Sequence, residues 1–559
     1  MNVAKKRFAL LLSALLLISA VLSACSGNNN GGSGGSASSS PSSSSAASPS
    51  APSGGRDVGG LSLPIAEEKL NLSLWSPIGG NFRGTNFNEK ASFQKMEENT
   101  NVHIDFQHAA EGASADAFTL LMSSGSLPDM IYYERWSADA VKYGEQGALL
   151  PLEDLIEQHA PNFKKILDEN PDIRGQLTTP DGHIYYMPNL ILESKDLVQM
   201  FPQIRQDWLD KLNLQQPATT EDWYNVLKAF REQDPNGNGK KDEIPLVSVF
   251  LDNIVMLFAP AFGVPVGMNS PFFVEDGQVK YGPADPRFKD VVTFLNRLYS
   301  EQLLDPEYLV DTTFDTLTEK VTTDVAGAWF GWSGSYMGNF TTLMAGKHDT
   351  FKISPVLPPE GPNGDRGHVS FRWQVGDQGL AVSSQTKNPE EVVKWLDYQY
   401  SEEGILLNNF GVEGQSYDIV DGQPVFKQEV LYPTNGLTNT QELLNHTIGG
   451  GTWSTVADTR YSEQIRVANG QTENPLELYA DYLEYDKKLP PVKFTSEEND
   501  IVTPLMADIQ TYVTETINQM IMGRTSPDTY DQVIAQLEKM GIKEVLAQYQ
   551  SAYDRFNGN

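Results

Sequence analysis

Apolar and polar residues alternate along KLNLSLWSP, from Lys69, and again along NVHIDFQHA, from Asn101, with the two-residue period of a half-buried strand. Between them, FNEKASFQKMEENT sets Phe93 and Met96 on one face of a predicted helix. A second helix is expected over 114–124, after which PDMIYYERW reads as a short strand running into a loop. Strands that alternate with helices in this way indicate an α/β organisation. The end of the chain changes period. Thr503-Pro504 offers an N-cap and a first-turn proline ahead of LMADIQTYVTETINQMIMG, where Leu505, Ile509, Tyr512 and Thr516 fall at helical spacing. Ser526-Pro527 repeats the signal before TYDQVIAQLEKMG, which closes at Gly541, and KEVLAQYQSAYDRF adds a last helix. The methionine and aromatic stripes of these helices read as core and are assigned no chemistry.

With 559 residues, 40% of them hydrophobic, the chain is long enough for several domains or one large two-lobed body. A formal charge of −32 argues against nucleic acid as a partner and against electrostatic adsorption to anionic lipid. The same acidity keeps an exported protein soluble and names no ligand. The N-terminus carries Lys5, Lys6 and Arg7, then an apolar stretch from Phe8 to Leu22 that is too short for a membrane span, then small residues. That is the order of a secretory signal. The only cysteine ends Leu22-Ser23-Ala24-Cys25, which resembles the bacterial lipoprotein signal at every position. The resemblance implies that Cys25 is acylated with diacylglycerol and becomes the new N-terminus; a stray cysteine beside an ordinary cleavage site is the alternative. One cysteine forms no intramolecular disulfide, so the exported fold relies on its core and on any metal it binds. Residues 26–55 hold no charge and no large apolar side chain. They form a Gly/Ser tether spanning roughly 30 Å root-mean-square.

Before residue 234, Thr219 and Asp222 are spaced as a capping box, and Trp223, Val226, Leu227 and Phe230 make one apolar helix face. This helix delivers the chain into DPNGNGKKDEIP, residues 234–245. Asp234, Asn236 and Asn238 alternate as oxygen donors, Gly239 permits a sharp turn, the Lys240 carbonyl follows, and Asp242 and Glu243 add carboxylates. A hard cation such as Ca2+ takes oxygens in flexible geometry, and this spacing wraps them around one centre. The loop departs from the helix-loop-helix calcium motif at its twelfth position, Pro245, where a bidentate glutamate is expected. Glu243, two residues earlier, is the candidate for that role. IPLVSV, which follows, reads as a strand, so the expectation is a structural calcium loop rather than a sensor. The alternative is an Asn/Gly-rich turn without metal. A phosphate loop is excluded, because Gly239-Lys240 is followed by Lys241 and lacks both the upstream glycine and the hydroxyl residue.

The lipoprotein signal, the tether, the α/β body and the DPNGNGKKDEIP loop after an amphipathic helix together resemble the large extracellular solute-binding proteins of ABC sugar importers. Members with this loop include alginate-oligosaccharide binders and large binding lipoproteins of Gram-positive bacteria. LAVSSQTKNPEEVVKWLDYQYSEEG (380–404) is similar to the family's strand, Lys-Asn-Pro turn and helix, and LEKMGIKEVLAQYQSAYDRF to its C-terminal helices. The resemblance runs from about residue 67 onward. It implies an α/β, two-lobed periplasmic-binding-protein-like fold, with hinge strands between the lobes and a helical C-terminal region. On that pattern residues 1–24 are the signal peptide, 25–66 the lipidated cysteine and tether, and 67–186 the first lobe. Residues 187–376 are the second lobe with the calcium loop, 377–440 the return to the first lobe, and 441–559 a helical part mainly of the second. Crossings are expected near YYMPN (185–189) and QGLAVSS (378–384). The implied protein is a non-catalytic monomer, lipid-anchored at the extracellular face of the cytoplasmic membrane. It captures an oligosaccharide between its lobes and delivers it to the transmembrane subunits of an ABC permease.

Sugars present flat C–H faces ringed by hydroxyls, which aromatic plates and planar polar side chains grip. Aromatic residues in loops are therefore the candidates. GAWFGWSGSYMGNF offers Trp332, with Trp329 and Tyr336 beside it, and SFRWQVG offers Arg372 and Trp373. YYERWS places Tyr133, Arg135 and Trp136 directly after a strand, SPIGGN places Asn81 after Trp75, and GGGTWS adds Trp453. Trp332, Trp373 and Trp136 lead; Trp395 and Trp223 lie on helices and are assigned to the core. Each loop tryptophan is equally suited to burial against a lobe. Arg372 and Arg135 suit either a bidentate clamp on a uronate or an ordinary surface ion pair, leaving neutral and acidic sugars open. Two other functions stay in view. An anchored carbohydrate-active enzyme needs two positioned carboxylates, and none of the acidic residues is marked out. A peptide-binding receptor of the same architecture would also use loop aromatics.

Overall fold

The computed structural model describes residues 55–558 apart from 80–81, 110–113, 194–196, 199, 249, 310–312, 449–452, 469 and 471–473. The export signal, Cys25, residues 26–54 and Asn81 lie outside the described residues.

The two alternating segments are β1 (Leu70–Pro77) and β2 (Val102–Ala109), paired in parallel from Leu70 opposite Val102 to Pro77 opposite Ala109. The helix between them, Ala91–Thr100, buries Phe93 and Met96 and ends on Asn101 in the left-handed region, φ 58°, from which β2 departs. After the helix Ser114–Ser124, β3 (Met130–Tyr133) pairs in parallel with the other edge of β1. β4 (Tyr186–Leu190) follows, and the chain then leaves to build a second sheet. Its strands are β5 (Met200–Arg205), β6 (Ile244–Leu246), β7 (Ala326–Trp332) and β8 (Ile353–Pro355), in the order β8-β5-β7-β6. Finally β9 (Val375–Val382) returns between β3 and β4, antiparallel to both, and completes the first sheet as β2-β1-β3-β9-β4.

Each sheet has its own core. Leu74, Ile104, Met130, Leu380 and Trp395 pack in the first, and Ile204, Leu246, Phe330, Trp208 and Trp223 in the second. The capping box at Thr219 forms as its spacing requires, and the helix Thr220–Glu232 buries Trp223, Val226, Leu227 and Phe230. The long helix Ser496–Ile521 presses Ile509, Val513 and Ile517 into the second core. It starts earlier than Thr503-Pro504 suggests. The Thr495 hydroxyl accepts from the Glu498 N–H at 3.2 Å and the Glu498 carboxylate accepts from the Thr495 N–H at 2.9 Å. This two-way cap satisfies two orphan donors, and Pro504 is carried inside the helix.

β4 and β9 belong wholly to the first sheet, so the chain passes between lobes just after β4 and just before β9, within a few residues of the expected 185–189 and 378–384. The passing segments bond to one another. The Ile191 N–H donates to the Gln374 carbonyl at 2.8 Å, and the Arg372 N–H to the Leu197 carbonyl at 3.0 Å. The outer edge of β4 is taken up by a third segment: the Leu190 N–H donates to Thr455 and its carbonyl accepts from Ala457, each at 2.8 Å.

One buried cation reports on first-lobe packing. Lys90 is 2% exposed. Its Nζ donates to the Thr447 carbonyl, at the end of the helix Asn439–His446, at 3.1 Å and lies 4.5 Å from the Phe82 ring centre. Desolvation pulls its pKa down to about 7. Between that value and the lysine's unfolded pKa of about 10.4, the unfolded chain holds more protons, so stability rises with pH. Lys90→Met should remove one proton's worth of that slope, about 1.4 kcal/mol per pH unit, in denaturant titrations run between about pH 7.5 and 9.5. An unchanged slope would place the ammonium in water.

Candidate functional site

A cavity of about 890 Å3 lies over the crossing segments and takes its walls from both lobes. The first lobe contributes Arg135, Gln176 and Asn189, and the second contributes Asp252, Met256 and Trp332. Arg372 and Trp373 come from the returning crossing, Lys488 and Lys493 from the approach to the long helix, and Thr503, Met506 and Gln510 from the helix itself. The segment assigned no chemistry from its stripes thus forms one wall.

Trp332 is the last residue of β7, half-buried, with its carbonyl held by the Gln203 side-chain amide at 3.0 Å. The Arg372 guanidinium sits 5.9 Å from the centre of its indole. Trp373, also half-buried, meets the Phe371 ring edge-on at 5.8 Å, and the Lys488 ammonium lies 6.0 Å from its centre. Two aromatic plates therefore stand beside two cations. Asn189 adds a buried acceptor: its Nδ2 donates to the carbonyls of Trp453 at 3.0 Å and Thr455 at 3.3 Å. Its Oδ1, like Gln176 Oε1, meets no hydrogen-bond partner among the described residues. Oxygens of this kind favour a ligand rich in hydroxyl donors.

Arg135, Trp332, Arg372 and Trp373 are thus brought to one cavity, and three other candidates are not. Trp136 is 0% exposed, because the strand-to-helix turn is so short that the indole folds back under the sheet and its Nε1–H donates to the Gly379 carbonyl at 3.0 Å. Tyr133 stacks on Phe118 at 3.6 Å within the first lobe. Trp453 is 3% exposed, stacks on Tyr132 at 5.0 Å and bonds through Nε1 to Gln399. Trp329 and Tyr336 are buried too: Trp329 sits inside β7, not in a loop, and its Nε1–H donates to Gln203 at 2.7 Å. Asn189, Gln176 and the two lysines carry no local signal in the sequence, since only the pairing of distant segments turns them to the cavity.

The 234–243 loop lies apart, in the second lobe. Asp234 (φ 48°), Gly237 and Gly239 (both φ 76°) adopt left-handed backbone, which glycine tolerates and aspartate tolerates better than most residues. Asp234 accepts from the Asn238 and Gly239 N–H groups, each at 3.0 Å, and Asn238 Nδ2 donates to Asp242 at 3.0 Å. Glu243 is 3% exposed, and neither carboxylate oxygen has a hydrogen-bond partner among the described residues. Desolvation, together with the charges of Asp234 and Asp242, raises its pKa. Such a group is costly unless a cation joins it, and an all-oxygen donor set is what Ca2+ takes. The residues fit a hard cation. Among the described residues no three acidic, histidine or cysteine side chains already converge on one point, so closing the loop on an ion requires Asn238 to release Asp242.

Residues 84–405 match the family described as bacterial extracellular solute-binding protein. The chain belongs to that family. Its relatives include the fructooligosaccharide ABC transporter substrate-binding protein FusA of Streptococcus pneumoniae serotype 4, 31% identical over 89% of this chain and 93% of that one. Lipoprotein LipO of Bacillus subtilis is 28% identical over 62% of this chain and 68% of LipO. The alginate-binding protein AlgQ2, in a crystal structure without calcium ion, superposes with a TM-score of 0.73 at 28% identity, covering 88% of this chain and 99% of its own. An EF-hand mutant of FusA in complex with fructo-nystose gives 0.72 at 26%, covering 88% and 100%. The two-lobed fold is therefore that of the family.

Trp136→Ala should lower stability by about 3–5 kcal/mol, as for a large buried aromatic, while Trp332→Ala at its half-exposed position should lower it by less than about 1.5 kcal/mol. Calorimetric melts separate the two; equal losses would put Trp332 in the core.

Proposed function

We propose that the cavity captures an oligosaccharide, and that the protein hands it to the transmembrane subunits of an ABC importer while anchored through lipidated Cys25 at the outer membrane face. The observation that carries the reading is the pair Trp332 and Trp373 at one cavity with the acceptor oxygens of Asn189 and Gln176. Indole faces pack on the C–H faces of sugar rings while amide oxygens take their hydroxyl protons. FusA and AlgQ2 are named for oligosaccharide and alginate binding, which supports the same cargo class here. Closure of the lobes on cargo is a shift between two populations, driven by contacts made only when both walls touch the ligand. The relatives are binding proteins rather than enzymes, and of the cavity's carboxylates Asp252 is engaged in holding the Asn269 N–H at 2.8 Å.

The 234–243 loop holds a structural Ca2+ through Asp234, Asn236, Asn238, the Lys240 carbonyl, Asp242 and Glu243. Bound there, the ion supplies the positive charge that offsets the buried Glu243 carboxylate. Asn236 Nδ2, bonded to the Asp324 carbonyl at 3.0 Å, ties the loop to the turn entering β7. Glu243→Gln keeps the shape and removes the charge. With chelator present it should be more stable than the parent by about 1–3 kcal/mol, and the gain on adding calcium should disappear. Identical calcium responses in the two proteins would place the metal elsewhere.

The cargo reading is tested by thermal shift of the full calcium-loaded chain against plant, algal and animal-matrix oligosaccharides, with products followed by chromatography in the same samples. One glycan class should raise the melting temperature without being cleaved. Turnover would make the protein an enzyme.

A further inference from the structure

The cavity wall carries Arg135, Arg372, Lys488 and Lys493 against Asp252 and Asp377, four cations to two carboxylates, in a chain whose formal charge is −32. Its sign is the reverse of the protein as a whole. Both carboxylates are engaged by the protein: Asp252 holds the Asn269 N–H at 2.8 Å, and Asp377 faces Lys493, whose charge it favours. Lys488 donates to the Phe371 carbonyl and Lys493 to the Leu177 carbonyl, and two of the four cations also flank the aromatic plates. Arg372 lies 5.9 Å from the Trp332 ring centre, and Lys488 lies 4.2 Å from that of Phe371 and 6.0 Å from that of Trp373. Arg135 approaches from the first lobe and is exposed. A sugar ring resting on either indole would thus hold its substituents beside a fixed positive charge.

We propose that the cargo is an oligosaccharide bearing anionic substituents, carboxylates or sulfate esters, rather than a neutral one. This rests on the oligosaccharide reading above and sharpens it. A desolvated cation is costly, as the pKa of Lys488, drawn down to about 8 by burial, records. An anion delivered to the cavity relieves that cost, whereas a neutral hydroxyl does so only weakly. The cavity also concentrates anions that the rest of the acidic surface repels, and Arg135, at its mouth, meets them first.

Titration calorimetry on the full calcium-loaded chain tests this with matched probes: oligogalacturonate against its methyl ester, a sulfated galactan oligosaccharide against its desulfated form, and kestose. One anionic probe should bind at least about ten-fold tighter than its blocked partner, with the advantage shrinking as salt is raised. Which pair shows the difference tells carboxylate from sulfate. Arg135→Gln, on an exposed residue, should weaken the anionic probe by about three- to ten-fold and its neutral partner by clearly less. Arg372→Met should act in the same direction. Equal or tighter binding of the neutral probes overturns the anionic inference and leaves the oligosaccharide reading standing. Binding by none of the five overturns the anionic inference and leaves the oligosaccharide reading to the wider glycan screen.

Discussion

The cavity between the lobes depends on three passages of chain being hydrogen-bonded to one another where they leave the first sheet. Leu190, Ile191 and Leu197 on the outgoing passage meet Arg372 and Gln374 on the returning one, and Leu190 also pairs with Thr455 and Ala457. The first sheet is not built from a continuous stretch of sequence: β9 must come back from the second lobe to fill the gap between β3 and β4. The same pairing places Arg372 and Trp373 opposite Asn189, and so builds the cavity floor as a by-product of joining the lobes. A hinge made of a few shared backbone bonds flexes more readily than either packed core.

Electrostatics then divide the molecule into regions of opposite character. The surface is strongly acidic, the cavity is cationic, and the 234–243 loop concentrates carboxylates around one buried, unpaired Glu243. Each departure from the bulk is expensive in isolation, because a buried charge without a partner loses its hydration. Each would become favourable on arrival of the counter-charge proposed for it, Ca2+ at the loop and an anionic sugar at the cavity.

Much of the fold was legible in the sequence because the signals are local. The two-residue period of β1 and β2, the Thr219–Asp222 cap and the helix over 114–124 depend on neighbours a few residues away, and all form where expected. At Thr503-Pro504 two local start signals competed, and the reciprocal Thr495–Glu498 cap prevailed over a lone proline. The cargo site was only half legible. Trp332 and Trp373 stand out as aromatics in polar surroundings, yet Trp136 and Trp453 look the same along the chain. What separates them is the partner of the indole N–H, Gly379 for Trp136 and Gln399 for Trp453, far away in sequence. Asn189, Gln176, Lys488 and Lys493 carry no local mark, because their role comes entirely from which segments cross together.

Whether cargo is held intact over the crossing segments, between the lobes, is decided by a crystal structure of the calcium-loaded protein with its stabilising oligosaccharide. The expected result is an uncleaved glycan stacked on Trp332 and Trp373 and touching both lobes. A glycan bound elsewhere, or found cleaved in the cavity, would contradict it.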